Sequence, residues 1–88
     1  MNTLAETVPY MLSTDWKERQ VAEYWQTKIR KDRLDAIIEQ YEAGTLPYPL
    51  ACPIEYLKFQ SVVMHQYLFV LELRAEKEGI DYDDSNLE

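Results

Sequence analysis

The stretch 53-PIEYLKFQSVVMHQYLFVLELRAEKEG-79 decides the fold. Proline stands only at its first position and glycine only at its last, which is how a long helix begins and ends: Pro53 forgoes an N–H that the first turn cannot use, and Gly79 accepts the left-handed turn that stops it. Leu57, Ser61, Met64, Leu68, Leu71 and Ala75 recur at alternating spacings of about four and three, a seam for packing on another helix. Phe59, Val62, Val63, Val70 and Leu73 form a second apolar stripe, on nearly the opposite side at about 100° per residue. One partner helix cannot cover both. Leaving these five side chains wet forgoes on the order of 7–15 kcal/mol, at about 1.5–3 kcal/mol each, as much as a small domain's whole stability. Self-association is the expected remedy. The alternative is that residues 1–12 and the proline-rich loop fold over the second stripe within one chain.

Upstream, TLPYPLACP carries three of the four prolines, and before it Gly44 closes a second long periodic segment. Ser13, Thr14 and Asp15 are candidate caps for that segment, with Glu18 at the reciprocal capping-box position if Asp15 caps. The resulting reading is a single helical domain over 1–88: an N-terminal arm or short helix at 1–12, a helix at 14–43, a proline-rich loop at 45–52, a helix at 53–78 and an acidic tail at 79–88. The short loop returns the second helix antiparallel to the first. The fold class is therefore all-α, an antiparallel hairpin of two long helices assembling into an oligomeric helical bundle, with a closed symmetric dimer as the commonest solution and a larger ring as the alternative. Ile80, Tyr82 and Leu87 are the tail's only apolar anchors.

The chain's 88 residues place it near the lower size at which one core suffices, and its 47% hydrophobic and 28% charged residues mark it as globular. A net charge of −7 argues against direct DNA binding, which needs a continuous cationic surface, while leaving room for a mimic of nucleic acid. Cys52 is the only cysteine, so neither a disulfide framework nor a CxxC metal site is expected. MNTLAETVPYML lacks the features of a secretory leader, and no apolar run approaches the roughly 20 residues that span a bilayer. A cytoplasmic, non-membrane protein is expected.

The first helix carries the functional candidates. Val21, Ala22, Trp25 and Ile29 lie on one side, whereas Leu34, Ile37, Ile38 and Tyr41 lie rotated well over 90° away, as if its two halves had different partners. Between them runs a polar line, Arg19, Glu23, Gln26, Arg30 and Arg33, at the spacing a coiled coil gives to core residues. Three guanidinium groups, a carboxylate and an amide on one face, with Lys17, Trp16, Tyr24 and Trp25 nearby, suit a small anionic ligand such as a nucleotide. Arginine forks hold phosphate bidentately and aromatic rings stack on bases. The plainer reading makes Arg19–Glu23 an i,i+4 pair and the line a hydrated or ion-paired interface.

No catalytic site is expected. His65 has no second histidine or cysteine at metal-ligand spacing, Cys52 has no evident base, and the carboxylates, Glu42 and Glu55 among them, are not spaced for acid/base work. With two glycines the chain has no phosphate loop. Neither a metal nor a cofactor is expected, and an enzyme is not. The acidic tail, Asp81 to Glu88, reads as a solvated end that could also dock on a basic partner.

MLSTDWKERQVAEYWQTKIRKDRLDAIIEQYEAGTL, then CP and a second helix ending LELRAEKEGI, resembles a family of short phage and prophage proteins of no assigned activity, first labelled from a crAss-like phage. The resemblance runs from about Met11 to Ile80 and is carried by Asp15, Trp16, Lys17, Glu18, Arg19, Ala22, Glu23, Tyr24 and Gln26. Arg30, Gly44, Cys52–Pro53, Glu72, Arg74 and Ala75 also match it. Trp16 stands where many members have Tyr. The resemblance implies an accessory protein made in the host cytoplasm during infection or lysogeny. The expected function is stoichiometric binding, as in counter-defence: capture of a nucleotide-type anion, with Lys17, Arg19 and Arg30 on phosphate, Tyr24 or Trp16 under a base, and Glu23 and Gln26 reading polar edges. The rival expectations are a protein-contact inhibitor of a host nuclease or defence protein acting through its acidic surface, and a structural or regulatory adaptor.

Overall fold

Asp15 starts the longest element of the computed structural model, which describes residues 1–83. Its extended backbone and its carboxylate, which accepts the Lys17 N–H at 2.9 Å, cap α2, Trp16–Ala43. Glu18 does not complete a capping box. The Asp15 N–H that it would have accepted donates instead to the Ser13 hydroxyl at 3.0 Å. Gly44, at φ 74°, ends α2 in a left-handed turn from which Thr45 N–H reaches back to the Gln40 carbonyl at 2.9 Å. Gly79, at φ 71°, ends α3, Ile54–Glu78, in the same manner, and Ile80 N–H bonds the Ala75 carbonyl. A 3₁₀ turn at Leu4–Thr7 runs into the one-turn α1, Val8–Met11.

The described residues contain helices and no strand, and the two long helices pack together. The molecule measures 42 × 24 × 20 Å, its long axis matching the length of 28 helical residues at about 1.5 Å each. Leu68, Leu71 and Ala75 are buried and Leu57, Ser61 and Met64 half-buried, so the first seam of α3 does face α2. Ser61 donates to Asp35 across that contact at 2.5 Å. Below the seam the core is small: Val21, Ala22 and Ile29 of α2, with Met1 and Thr7 from the N-terminal segment.

The N-terminal segment packs on α2 and not on α3. Burying Thr7 beside α2 requires its hydroxyl to be satisfied locally, and it donates to the Leu4 carbonyl at 2.6 Å. Residues 1–12 therefore do not cover the second stripe of α3, as the single-chain alternative required. Phe59 remains 70% exposed, Val62 55%, Val63 45%, Val70 50% and Leu73 48%. Roughly half of the burial energy of these side chains, about 4–8 kcal/mol, is unused in one chain.

Candidate functional site

The polar line of α2 divides between two environments. In its first half every member is engaged. Arg19 turns back to donate to the Ser13 carbonyl at 2.9 Å, so the i,i+4 pair with Glu23 does not form. Glu23 instead accepts the Tyr67 hydroxyl from α3, and that bond pushes the Tyr67 phenol up to about 12, with burial adding to it. Gln26 points the other way, toward the N-terminal segment, donating to Thr7 Oγ1 at 3.3 Å and to the Met11 sulfur. One polar spacing thus serves three contacts that hold different elements on α2.

Arg30 and Arg33, in the second half, are exposed. Neither makes a hydrogen bond or ion pair among the described residues, whereas Lys28, Lys31, Lys58 and Arg74 each pair with a carboxylate. Lys17 lies over the Trp16 ring, 5.7 Å from its centroid, at the start of the helix. Thirteen residues, about 20 Å of helix, separate Lys17 from Arg30, so one phosphate group cannot touch both within a chain.

Tyr24 sits at the centre of an aromatic cluster. Its ring stacks on Tyr82, with centroids 4.2 Å apart and planes at 7°, and meets Trp25 edge-on at 5.4 Å. Its hydroxyl donates to Glu72 at 3.3 Å, and burial followed by the Glu72 charge pushes its pKa up. The tail is thereby pinned at Tyr82. Trp25 Nε1–H donates to the Tyr82 carbonyl at 2.8 Å, the Tyr82 hydroxyl donates to the Leu71 carbonyl at 2.9 Å, and the buried Gln20 amide donates to the Tyr82 hydroxyl at 3.0 Å. Arg74 completes the network by donating to Gln20 Oε1 at 2.9 Å and to Glu78. Leu87 and the acidic residues from 84 onward lie outside the described residues.

Sequence reasoning named Tyr24 and Glu23 as site residues, Tyr82 as an anchor of the tail and Glu72 as a match to the family pattern, but it paired none of them and did not name Tyr67. The signal for Tyr67 and Glu72 was present, because each stands next to a residue of the buried α3 seam, at its edges. Tyr82 carried no signal beyond its apolar ring.

Two grooves run along the α2–α3 junction. One, of about 210 Å³, is lined by Tyr24, Lys28, Lys31, His65, Phe69 and Glu72, but its two lysines are committed to Asp32 and Asp35 at 2.8 and 2.6 Å. The other, of about 570 Å³, lies toward the loop and is lined by Asp35, Glu39 and Glu42 with Lys58 as its one cation. Burial works against the Asp35 carboxylate, yet bonds from Lys31 and Ser61 hold its pKa below the usual value. Among the described residues no group of three or more His, Cys, Asp or Glu side chains is placed to hold a metal ion, and no helix is long and apolar enough to cross a membrane. Cys52 is a free, half-buried thiol before α3.

No curated protein and no solved structure matches the chain. The Sequestin family model matches residues 14–77, which takes in both long helices, the loop between them and all the residues of the polar line. This chain therefore belongs to the Sequestin family.

Proposed function

We propose that this protein is a non-enzymatic, self-associating phage or prophage accessory protein of the host cytoplasm that withdraws a small anionic, nucleotide-type ligand from solution. The observation that carries the reading is the pair Arg30 and Arg33. In a chain of net charge −7, with 16 carboxylate side chains, two exposed guanidinium groups about one turn apart have no acceptor among the described residues. Such a pair suits bidentate capture of a phosphate. Tyr24, within two turns of Arg30, supplies a ring for a base once Tyr82 moves off its face. Trp16 and Lys17, at the far end of α2, act on a second ligand group or on one held between copies. The family's name, which denotes sequestering, agrees with stoichiometric binding.

Calorimetric titration with mono-, di- and cyclic nucleotides tests this. A charge-assisted contact contributes about 1.5–3 kcal/mol, so Arg30→Ala and Arg33→Ala should each weaken binding about 10- to 100-fold. Absence of heat with every nucleotide, and of any thermal shift, refutes it. A second reading, a protein-contact inhibitor of a host nuclease or defence protein, is favoured by the carboxylate-lined groove of Asp35, Glu39 and Glu42. It predicts salt-sensitive binding to a basic protein that survives the arginine substitutions.

A further inference from the structure

The outer face of α3, turned away from α2, has a symmetry of its own about Gln66. Phe59 and Leu73 stand equally far from Gln66 on either side, and so do Val62 and Val70, and Val63 and Phe69. All of these are exposed, and Phe69, at 56%, stands at the edge of the face, where it also lines the groove against α2. Two charged residues extend the pattern outward. Glu55 and Lys77 are again equidistant from Gln66, opposite in sign, exposed and without a partner among the described residues. Phe59, Val63, Gln66, Val70 and Leu73 follow the alternating four-and-three spacing of a helix–helix seam, with a single amide at its centre.

We infer that two copies of this chain pair antiparallel along α3, with the twofold axis passing beside Gln66. In that arrangement Phe59 meets the second copy's Leu73 and Val62 meets its Val70, while Val63 and Phe69, about 120° apart around the helix, flank the contact on either side. Each Gln66 amide carries both a donor and an acceptor, and two of them across a dyad satisfy each other, which fixes the register. Glu55 meets the second copy's Lys77 at both ends. A parallel pairing would oppose Glu55 to Glu55 and Lys77 to Lys77, and would lose both attractions. Lys58 and Arg74 are also equidistant from Gln66, but they lie about 160° apart around the helix, on opposite flanks, and do not meet. The N-terminal segment, which packs on α2, leaves this face free. Arg33 stands about 160° around α2 from Asp35, the residue that bonds Ser61 of α3, and so lies away from that helix. The pairing puts the two copies of α3 side by side at the centre with an α2 on each outer side, and it does not depend on the ligand proposed above.

Disulfide trapping in a Cys52→Ser background tests the geometry. Gln66→Cys sits at the dyad and should give a covalent dimer under mild oxidation. Leu73→Cys should not, because its two copies stand about 21 Å apart along the helices, far beyond disulfide reach. A second measurement uses exposed charges that leave the fold of the single chain untouched. By sedimentation equilibrium Glu55→Lys should weaken the dimer about tenfold, and adding Lys77→Glu should restore it. Trapping by both cysteine variants, which marks a parallel pair, overturns the proposal. So does a dimer that neither variant traps, a chain that stays monomeric at about 100 µM, or a double charge swap that fails to restore association. A nucleotide titration without heat leaves the pairing standing, and a monomer that binds nucleotide overturns the pairing alone.

Discussion

Removing the Tyr82 hydroxyl tests whether the tail is part of the folded unit. In Tyr82→Phe the ring stays on Tyr24, but the Gln20 amide, on a residue only 3% exposed, loses the acceptor it holds at 3.0 Å. The Leu71 carbonyl loses a second donor and keeps its helical one. An unpaired buried donor costs about 1–3 kcal/mol, so the variant should be destabilised by about that amount. Tyr82→Ala also removes the stack, about 0.5–1.5 kcal/mol, and the burial of a half-covered ring, for a total of about 3–5 kcal/mol. Urea unfolding followed by tryptophan fluorescence and by far-ultraviolet circular dichroism, at one protein concentration, reads this out. With a slope near 1 kcal/mol/M the midpoint should fall by roughly 1–3 M for the Phe variant and further for Ala. A Tyr24→Ala, Tyr82→Ala double-mutant cycle should return a coupling of about 0.5–1.5 kcal/mol. The reasoning fails if Tyr82→Ala behaves as an ordinary surface change, within about 0.5 kcal/mol, because the tail would then not be docked on α2.

Two pH experiments follow from the same contacts. The Tyr67 phenol, raised to about 12 by its bond to Glu23, keeps its proton in the folded chain after an unfolded one would have lost it. Its contribution is full below about pH 10 and is lost as pH rises toward 12, and Tyr24 and Tyr82, raised chiefly by burial, act in the same sense. Glu23→Gln should bring one tyrosinate absorbance transition back toward the ordinary range, and an unchanged titration would show that the bond does not form. At the acid end Asp35 is depressed, so its contribution is present above its unfolded value and lost as pH falls through the folded one. Ser61→Ala removes one of the two donors that depress it and should shift the acid unfolding transition to higher pH; a transition that does not move refutes the role of the bond.

Much of the architecture was legible because it depends on local rules. The Asp15 cap, the two glycine stops and the seam from Leu57 to Ala75 follow from backbone conformation and helical period, which neighbouring residues impose on one another directly. The second stripe of α3 was legible for the same reason, and the structure then showed that residues 1–12 do not cover it. The polar line was legible as a line. Which of its members are spoken for was not, because a glutamate and an arginine four residues apart read alike whether they bond each other or bond Ser13 and Tyr67.

Sequence by itself determined that this chain is two long helices with an apolar face to spare, since the periods of hydrophobic residues and the positions of Pro and Gly suffice for that. Only the tertiary structure decided that Tyr82 lies on Tyr24, that Gln20 joins Arg74 to the tail, and that Arg30 and Arg33 are left without partners among the described residues. Those outcomes depend on which side chains meet after α3 and the tail return along α2, between positions up to 62 residues apart in the chain. Periodicity places a residue on a face, but the donor that reaches it comes from an element whose path the local pattern does not encode.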